Sequence, residues 1–393
     1  MKLLHCIHSI DPSTGGPVEY IRHLGHGLAK LGHSQEILCL DDPGKPFLNS
    51  FEEGTVHALG PGFTSWGYSP ALKPWLRQNA SRFDMVIVNG LWKHVGLAVN
   101  QVLKEQKRPY VLFPHGMLDP WFKQALPLKH LKKMLYWRLV EHRVLSQAYA
   151  VCFTAQEEAV LARSTFSPYK VNEIIVGHGL GKPEGDARAQ MAEAVSTFPQ
   201  LNGKKVFLFL GRIHEKKGVD LLVESFSEIC RKGYPGTEDF ILVIAGPQDG
   251  AYARSLVERS CKLPDAVAER IVWTGMVQGD IKWGLLRLAD ALILPSHQEN
   301  FGVVVAEALA CGTPVLISNK VNIWREIKTN RAGLVAPDTL KGTKELLLGW
   351  LAEPEWAKQQ FRDNAKHAFE SGFVIEAVAN KLVDIVEQAH SMS

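Results

Sequence analysis

Several familiar signatures are missing from this sequence, and each absence removes a class of function. The six cysteines, Cys6, Cys39, Cys152, Cys230, Cys261 and Cys311, are scattered over 393 residues without a C-x-x-C pair. Most lie in apolar runs, so reduced core thiols are expected rather than disulfides or metal ligands. Charge of one sign is not in excess. The 44 basic and 41 acidic side chains leave +3, too little to argue for a nucleic-acid partner. No apolar window reaches the length of a membrane span. The opening "MKLLHCIHSID" has a charge and a short apolar run, but His5 and His8 interrupt it, so it reads as a strand and not a signal peptide. A cytoplasmic protein is expected. G-x-G-x-x-G, G-K-[ST] and H-E-x-x-H are all unmet, which sets aside the dinucleotide, P-loop and zincin fingerprints.

What is present is a soluble globular composition, 46% hydrophobic and 22% charged, in a chain too long for one ordinary domain. The first half opens with "KLLHCIHSI", "DPSTGGP", "VEYIRHLGHGLAKLG" and "HSQEILCL": strand, Gly-rich loop, helix, strand. Pro17 suits a first helical turn and Gly32 a helix end. Apolar runs recur at "FDMVIVNG", "PYVLFPHG" and "AYAVCFTA", each leading towards a helical stretch. The pattern breaks over residues 177 to 205, where Gly, Pro and charges dominate without a clear period, and the linker is placed there. The second half repeats the grammar with "KVFLFLG", "FILVIAG", "RIVWTG", "DALILPS", "PVLIS" and "AGLVAP". Strands alternating with helices imply parallel sheets covered on both faces. The chain thus reads as two doubly wound α/β domains, 1–178 and 179–373. An amphipathic helix follows at 374–393, with apolar Val374, Ile375, Val378, Leu382, Ile385 and Val386, expected to pack back towards the N-terminal domain.

In such sheets ligands bind beyond the carboxyl ends of the strands, so two facing domains would make a deep cleft. Four groups fall on those loops. Gly15 and Gly16, between a strand and a helix, would let backbone approach a phosphate at a helix N-terminus, although a Gly pair is also an ordinary tight turn. In "LGRIHEKKG", Arg212 and Lys217 flank a loop before a helix opened by Gly218. Cations there oppose the helix dipole unless an anion such as a diphosphate sits between them, and a solvated loop paired with Glu215 is the alternative. His115 and Gly116 follow "YVLF" and should emerge at the sheet edge, though a lone His is usually structural. Finally, "ENFGVVVAEALACGTPV" places Glu299 and Glu307 eight positions apart in an otherwise apolar stretch. Two helical residues at that spacing would diverge by roughly 80°. Glu299, however, precedes Gly302 and belongs to the loop, so both carboxylates can point the same way. Buried Glu demands a partner, protein or ligand, and carboxylates suit the hydroxyls of a sugar.

Together, "GGPVEY", "PHGML", "GRIHEKKGVDLLVESF", "LLRLADALILPSHQENFGVVVAEALACGTPVL" and "AGLVAP" closely resemble the retaining GT-B glycosyltransferases of family 4, which share the E-x7-E pattern of Glu299 and Glu307. The resemblance is densest from residue 206 to 337. It implies two Rossmann-like domains clamping a nucleoside diphosphate sugar of UDP or GDP type. It assigns Arg212 and Lys217 to the diphosphate, Glu299 to hydroxyls of the transferred sugar and Glu307 to the ribose. Phe301, Gly302 and Val303 would supply backbone N–H groups along the phosphates, and Gly275 and Met276 would hold the base. His115 would contact the transferred sugar, and Gly15 and Gly16 would approach the phosphates from the N-terminal domain. It implies glycosyl transfer to an acceptor hydroxyl with retention, without cofactor or metal. No convincing D-x-D occurs, since Asp41 and Asp42 in "LDDP" lie one strand too early and read as a turn. His178 in "VGHGL" replaces an Asn frequent in the family, and it is left out of the site.

Two rival readings are a nucleotide-sugar epimerase of the same architecture and a non-catalytic sugar-nucleotide-binding subunit. The acceptor, saccharide or lipid-linked saccharide, is less legible, and a role in bacterial polysaccharide or glycolipid synthesis rests on analogy. Residues 126 to 145 mix Lys129, Lys132, Lys133, Arg138 and Arg143 with Leu131, Leu135, Trp137 and Leu139. That is either a basic amphipathic helix for peripheral contact with an anionic inner membrane face or an ordinary surface helix with one apolar side.

Overall fold

A computed structural model describes residues 1–121, 123 and 127–391. The chain divides into two compact units, Met1–Gly181 with Gly372–Ser393, and Lys182–Ser371.

The N-terminal unit is built on a seven-stranded sheet of β1 (Lys2–Ile7), β2 (Ser34–Cys39), β3 (Thr55–Ala58), β4 (Met85–Asn89), β5 (Tyr110–Phe113), β6 (Ala150–Phe153) and β7 (Glu173–Ile175). Their spatial order is β3-β2-β1-β4-β5-β6-β7, with every pair parallel. Runs such as "LLHCI" and "MVIVN" are apolar without alternation because helices cover both faces of the sheet, and β1 and β4 are buried almost throughout. The helix Gly16–Lys30 has Pro17 in its first turn, and Gly32 just beyond its end adopts φ +75°. The last helix, Ile375–Ser391, lays Ile375, Val378, Ala379, Leu382, Ile385, Val386 and Ala389 into the same core as Leu24 and Leu28. Gly27 allows close contact there: a Cβ on it would stand 2.8 Å from Ile375 Cγ1.

The other unit carries β8 (Lys205–Leu210), β9 (Phe240–Ala245), β10 (Ile271–Gly275), β11 (Ala291–Leu294), β12 (Val315–Ser318) and β13 (Gly333–Ala336). Their order is β10-β9-β8-β11-β12-β13, again all parallel. These are the six apolar runs of the second half. Strand order reverses once in each sheet, between β1 and β4 and between β8 and β11, and such switch points are where open α/β sheets bind ligands.

Three features depart from the sequence reading. β3 and β7 are edge strands of four and three residues and only partly buried, so neither shows an apolar run. Within the aperiodic stretch 177–205 lies a helix, Ala187–Thr197, capped by Asp186, whose carboxylate accepts from Ala189 N at 2.7 Å. It packs on the helix Gly279–Leu288 at Gly284, where a Cβ would collide with the Gln190 carbonyl and meet Ala194. Close backbone approach through Gly and Ala needs no stripe of large apolar residues, so the period was weak. The basic stretch, of which Leu126 lies outside the described residues, forms the helix Pro127–Tyr136, a π-helical turn Trp137–Glu141 and a short helix His142–Ser146. All six cysteines are free; Cys6, Cys39 and Cys152 are buried, and Cys261 is exposed.

Candidate functional site

In the C-terminal unit the two loops at the switch point carry most of the sequence-derived residues. After β8 the chain passes Gly211 and Arg212 into a 3-10 turn, Glu215–Lys217, and then Gly218 opens the helix Val219–Lys232. Gly218 is at φ +63°, and a Cβ there would strike the Pro295 carbonyl, so only glycine lets this loop sit against the one after β11. His297 N donates to Lys216 O at 2.7 Å and ties the two loops together. Glu299 is held by its backbone: its N–H donates to Lys320 O at 3.0 Å, and its carbonyl accepts from Asn322 N at 3.0 Å. The Lys217 ammonium donates directly to the Glu299 carboxylate. Arg212 is exposed and close enough to repel Lys217. Burial, and after it the neighbouring Arg212 and Lys216 charges, lower the Lys217 pKa to about 8.

Glu307 is the fifth residue of the helix Val303–Ala310, which Gly302 caps in the left-handed conformation. The partner that a buried carboxylate requires is Lys282 on the helix Gly279–Leu288, whose Nζ donates to Glu307 Oε1 at 2.6 Å. Burial raises the Glu307 pKa, and the adjacent ammonium opposes the rise. Phe301 points into the core, which leaves only its backbone for ligand contact, whereas Val303 is half-exposed. Gly275 ends β10 at φ +72° with open space where a Cβ would be, and Met276 beside it is exposed.

The N-terminal unit brings a second group to the carboxyl ends of β1, β4 and β5. Gly15 (φ +81°) caps the helix that Gly16 begins, and a Cβ on either would meet nothing within 4 Å. Packing within the chain therefore does not explain Gly16. His115 and Gly116 follow β5 at φ +49° and +74°, a left-handed pair uncommon outside glycine. Glu158 fixes the turn, one oxygen accepting from Gly116 N at 2.6 Å and the other from Thr154 N at 2.8 Å.

Sequence reasoning missed Asn89, the last residue of β4. Its amide donates to His5 Nδ1 at 3.1 Å and to Ile87 O at 3.3 Å, so its oxygen accepts from His115 Nε2–H at 3.0 Å. That pattern assigns the tautomer and leaves His115 Nδ1 as an acceptor. The ring lies between Phe113 and Tyr20, with centroids at 5.8 and 5.3 Å, and burial pushes its pKa down to about 3, so it is neutral. Lys282 and Glu158 were likewise missed. The signal for Asn89 was faint: a polar residue ending the apolar run "MVIVN". His178, left out of the site, is buried 5.0 Å from the same Tyr20 ring. Asp41 and Asp42 brace a turn as expected. Asp41 accepts from Ser9 Oγ at 2.6 Å and Ile10 N at 2.8 Å, and Asp42 accepts from Gly44 N at 2.9 Å. A cavity of about 240 Å³ near the His115 loop is lined by Met117, Asp119, Lys129, His130, Lys133 and Phe166, with Thr165.

Two parallel Rossmann-like units, each with polar residues gathered at its switch point, define the GT-B class. The glycosyl transferases group 1 model matches residues 193–368, and the glycosyl transferase 4-like domain model matches residues 15–175. The chain belongs to this family of glycosyltransferases. It is 24% identical to mannosylfructose-phosphate synthase of Agrobacterium fabrum over 95% of its own length and 86% of that protein's. Among solved structures it resembles sucrose-phosphate synthase from Thermosynechococcus elongatus (TM-score 0.74, 21% identity, all of both chains covered). It also resembles Anabaena HepE in complex with UDP (TM-score 0.76, 16% identity, 99% of this chain and 100% of that one).

Proposed function

We propose that this glycosyltransferase uses a nucleoside diphosphate sugar, of UDP or GDP type, and transfers the sugar to an acceptor hydroxyl with retained anomeric configuration and without a metal or cofactor. The observation that carries the reading is the Lys217–Glu299 pair at the β8/β11 switch point with Arg212 beside it. An incoming diphosphate replaces Glu299 as counter-ion of Lys217, and the freed carboxylate accepts from hydroxyls of the sugar. Arg212 and Lys217 then stabilise the charge that grows on the departing diphosphate. Glu307, held by Lys282, takes the ribose diol. The backbone of Phe301, Gly302 and Val303 lies along the phosphates, and that of Gly275 and Met276 holds the base. Gly15 and Gly16 approach the phosphates, and His115 Nδ1 accepts from a hydroxyl of the transferred sugar.

The bond between the anomeric carbon and the diphosphate oxygen breaks as the acceptor oxygen bonds to that carbon on the same face. The acceptor proton passes to the leaving phosphate oxygen. HepE, solved with UDP and similar in fold, supports a nucleotide-sugar donor. The cavity beside the His115 loop, with Lys129, His130 and Lys133 on its wall, suits the acceptor, a saccharide or lipid-linked saccharide. A place in bacterial polysaccharide or glycolipid synthesis fits such an acceptor.

The first test is thermal melting with a panel of nucleoside diphosphates and their sugars. A ligand at a hundred times its Kd adds about 2.7 kcal/mol, so one base should shift the transition clearly. No shift with any of them would return Lys217 and Glu299 to the status of a structural pair. Proton NMR of the product should then show the donor's anomeric configuration, and inversion would end the front-face reading. Activity should survive a chelator, and strict dependence on a divalent ion would contradict the metal-free part.

A further inference from the structure

The helix Pro127–Tyr136 and the π-helical turn that prolongs it turn one side to the protein and carry a row of leucines on the other. His130, Lys133, Trp137 and Glu141 share the side turned to the protein: three are buried, and the Lys133 ammonium lies over the Trp92 ring at 4.6 Å. Trp137 stacks on Phe166 at 4.9 Å and donates from Nε1 to Pro168 O at 2.9 Å. His130 stacks on the same Phe166 at 4.9 Å, and Glu141 accepts from Trp92 N at 3.2 Å. On the reverse side Leu128, Leu131, Leu135 and Leu139 are 81%, 64%, 64% and 61% exposed, with Met134 beside them at 38%. One exposed leucine needs no explanation, but four in a row over about 16 Å of helix do. Lys129, Lys132 and Arg138 flank the row; all three are exposed, and none has an acidic partner among the described residues. From Pro120 to Val140 the sequence holds no Asp or Glu, and Glu141 is buried.

We propose that this face seats on the surface of a lipid bilayer rich in anionic phospholipid. The leucines enter the acyl boundary, and Lys129, Lys132 and Arg138 lie at the headgroups. Charge decides between this and the other occupants. A second copy placed symmetrically on the stripe would bring cations against cations with no carboxylate to meet them. A protein partner would need an apolar strip edged with acids. A bilayer supplies both the apolar layer and the fixed negative charge, and the aliphatic, aromatic-poor stripe matches it better than a protein hot spot. No helix among the described residues is long and apolar enough to cross a membrane, so the contact proposed is one of lying on the surface.

The test is flotation of the full chain with phosphatidylcholine vesicles and with vesicles that also contain phosphatidylglycerol. Binding is expected only to the second kind and should weaken with salt. L131Q/L135Q removes two leucines from the stripe and should weaken binding at least tenfold, on the order of one CH₂-rich side chain's transfer energy. K129Q/K132Q/R138Q should do the same, each cation contributing roughly a factor of five. All five side chains are exposed, so both variants should melt with the wild-type protein, and a Tm match confirms that the loss is not unfolding. Failure of the wild type to float with anionic vesicles would overturn the proposal. So would equal binding to neutral vesicles, or undiminished binding by L131Q/L135Q. A concentration-dependent dimer in light scattering, lost in L131Q/L135Q, would assign the face to a second copy instead.

Discussion

Lys217 is an ammonium that burial and two neighbouring cations discourage and a single carboxylate retains. Its lowered pKa sets a sign. Near pH 7 it is charged and available to a diphosphate; as pH rises through about 8 it loses its proton. Affinity for a nucleoside diphosphate should therefore fall above pH 8, and titration calorimetry across pH 6.5 to 9.5 checks this. The same shift costs the folded protein stability below about pH 8, and stability rises with pH from there to the ordinary lysine value as that penalty is lifted, because the unfolded chain binds the proton more tightly. Glu299→Ala should lower turnover at least tenfold, about 1.4 kcal/mol or more, while leaving nucleotide binding in place. Arg212→Ala should instead weaken nucleotide binding, and equal affinity in that variant would remove Arg212 from the phosphate site. At His115 the controlling residue is Asn89. An Asn89→Asp carboxylate would favour the imidazolium, raise the His115 pKa and protonate the Nδ1 acceptor as pH falls, with His5, His178, Tyr20 and Glu158 as the other titratable neighbours. The pH profile of kcat/KM should gain an acid limb absent from the wild type, and an unchanged profile would deny His115 its role in accepting a hydroxyl.

At the scale of elements, glycines separate the demands of folding from those of binding. Gly218 answers to folding, since its positive φ and its approach to Pro295 both exclude a side chain. Gly218→Ala should destabilise by about 1 to 3 kcal/mol and displace the loop carrying Lys217. Gly16 has open space around its Cα and ordinary φ, so Gly16→Ala should leave the Tm unchanged and raise KM for the donor. If neither quantity moves, Gly16 does no more than begin its helix. The sequence made the central elements legible for a simple reason. Strands covered on both faces, such as β4 and β8, have to be apolar along their centres, and their carboxyl ends then point to the loops. What was hidden lies where burial is one-sided or backbone packs on backbone: β3, β7 and the helix Ala187–Thr197. The site divides the same way. Arg212, Lys217, Glu299 and Glu307 stood out as charges in apolar surroundings, whereas Asn89 and Lys282 act through partners far away in sequence, which no local pattern reveals.

For the molecule as a whole, the chain leaves its first unit at Gly181 and comes back at Gly372. The returning helix Ile375–Ser391 is therefore part of the N-terminal core. The bridge between Leu180 and Val374, with Leu180 N donating to Phe373 O at 2.8 Å and Ile375 N to Leu180 O at 3.1 Å, fixes where it enters. Ile375, Val378, Leu382, Ile385 and Val386 are buried on Leu24, Leu28, Met85 and Val111. At about 1.5 to 3 kcal/mol for each large aliphatic side chain, the helix contributes roughly 8 to 15 kcal/mol, as much as the whole net stability of a typical domain. Residues 182–371 include every element of the other unit and carry no such debt to a distant segment. Expressed alone, 182–371 should unfold cooperatively and still bind a nucleoside diphosphate, whereas a chain cut after Gly372 should lose the near-ultraviolet circular dichroism of its N-terminal unit. A truncated chain that kept the full-length signal and Tm would show that the helix only covers a core that is complete without it.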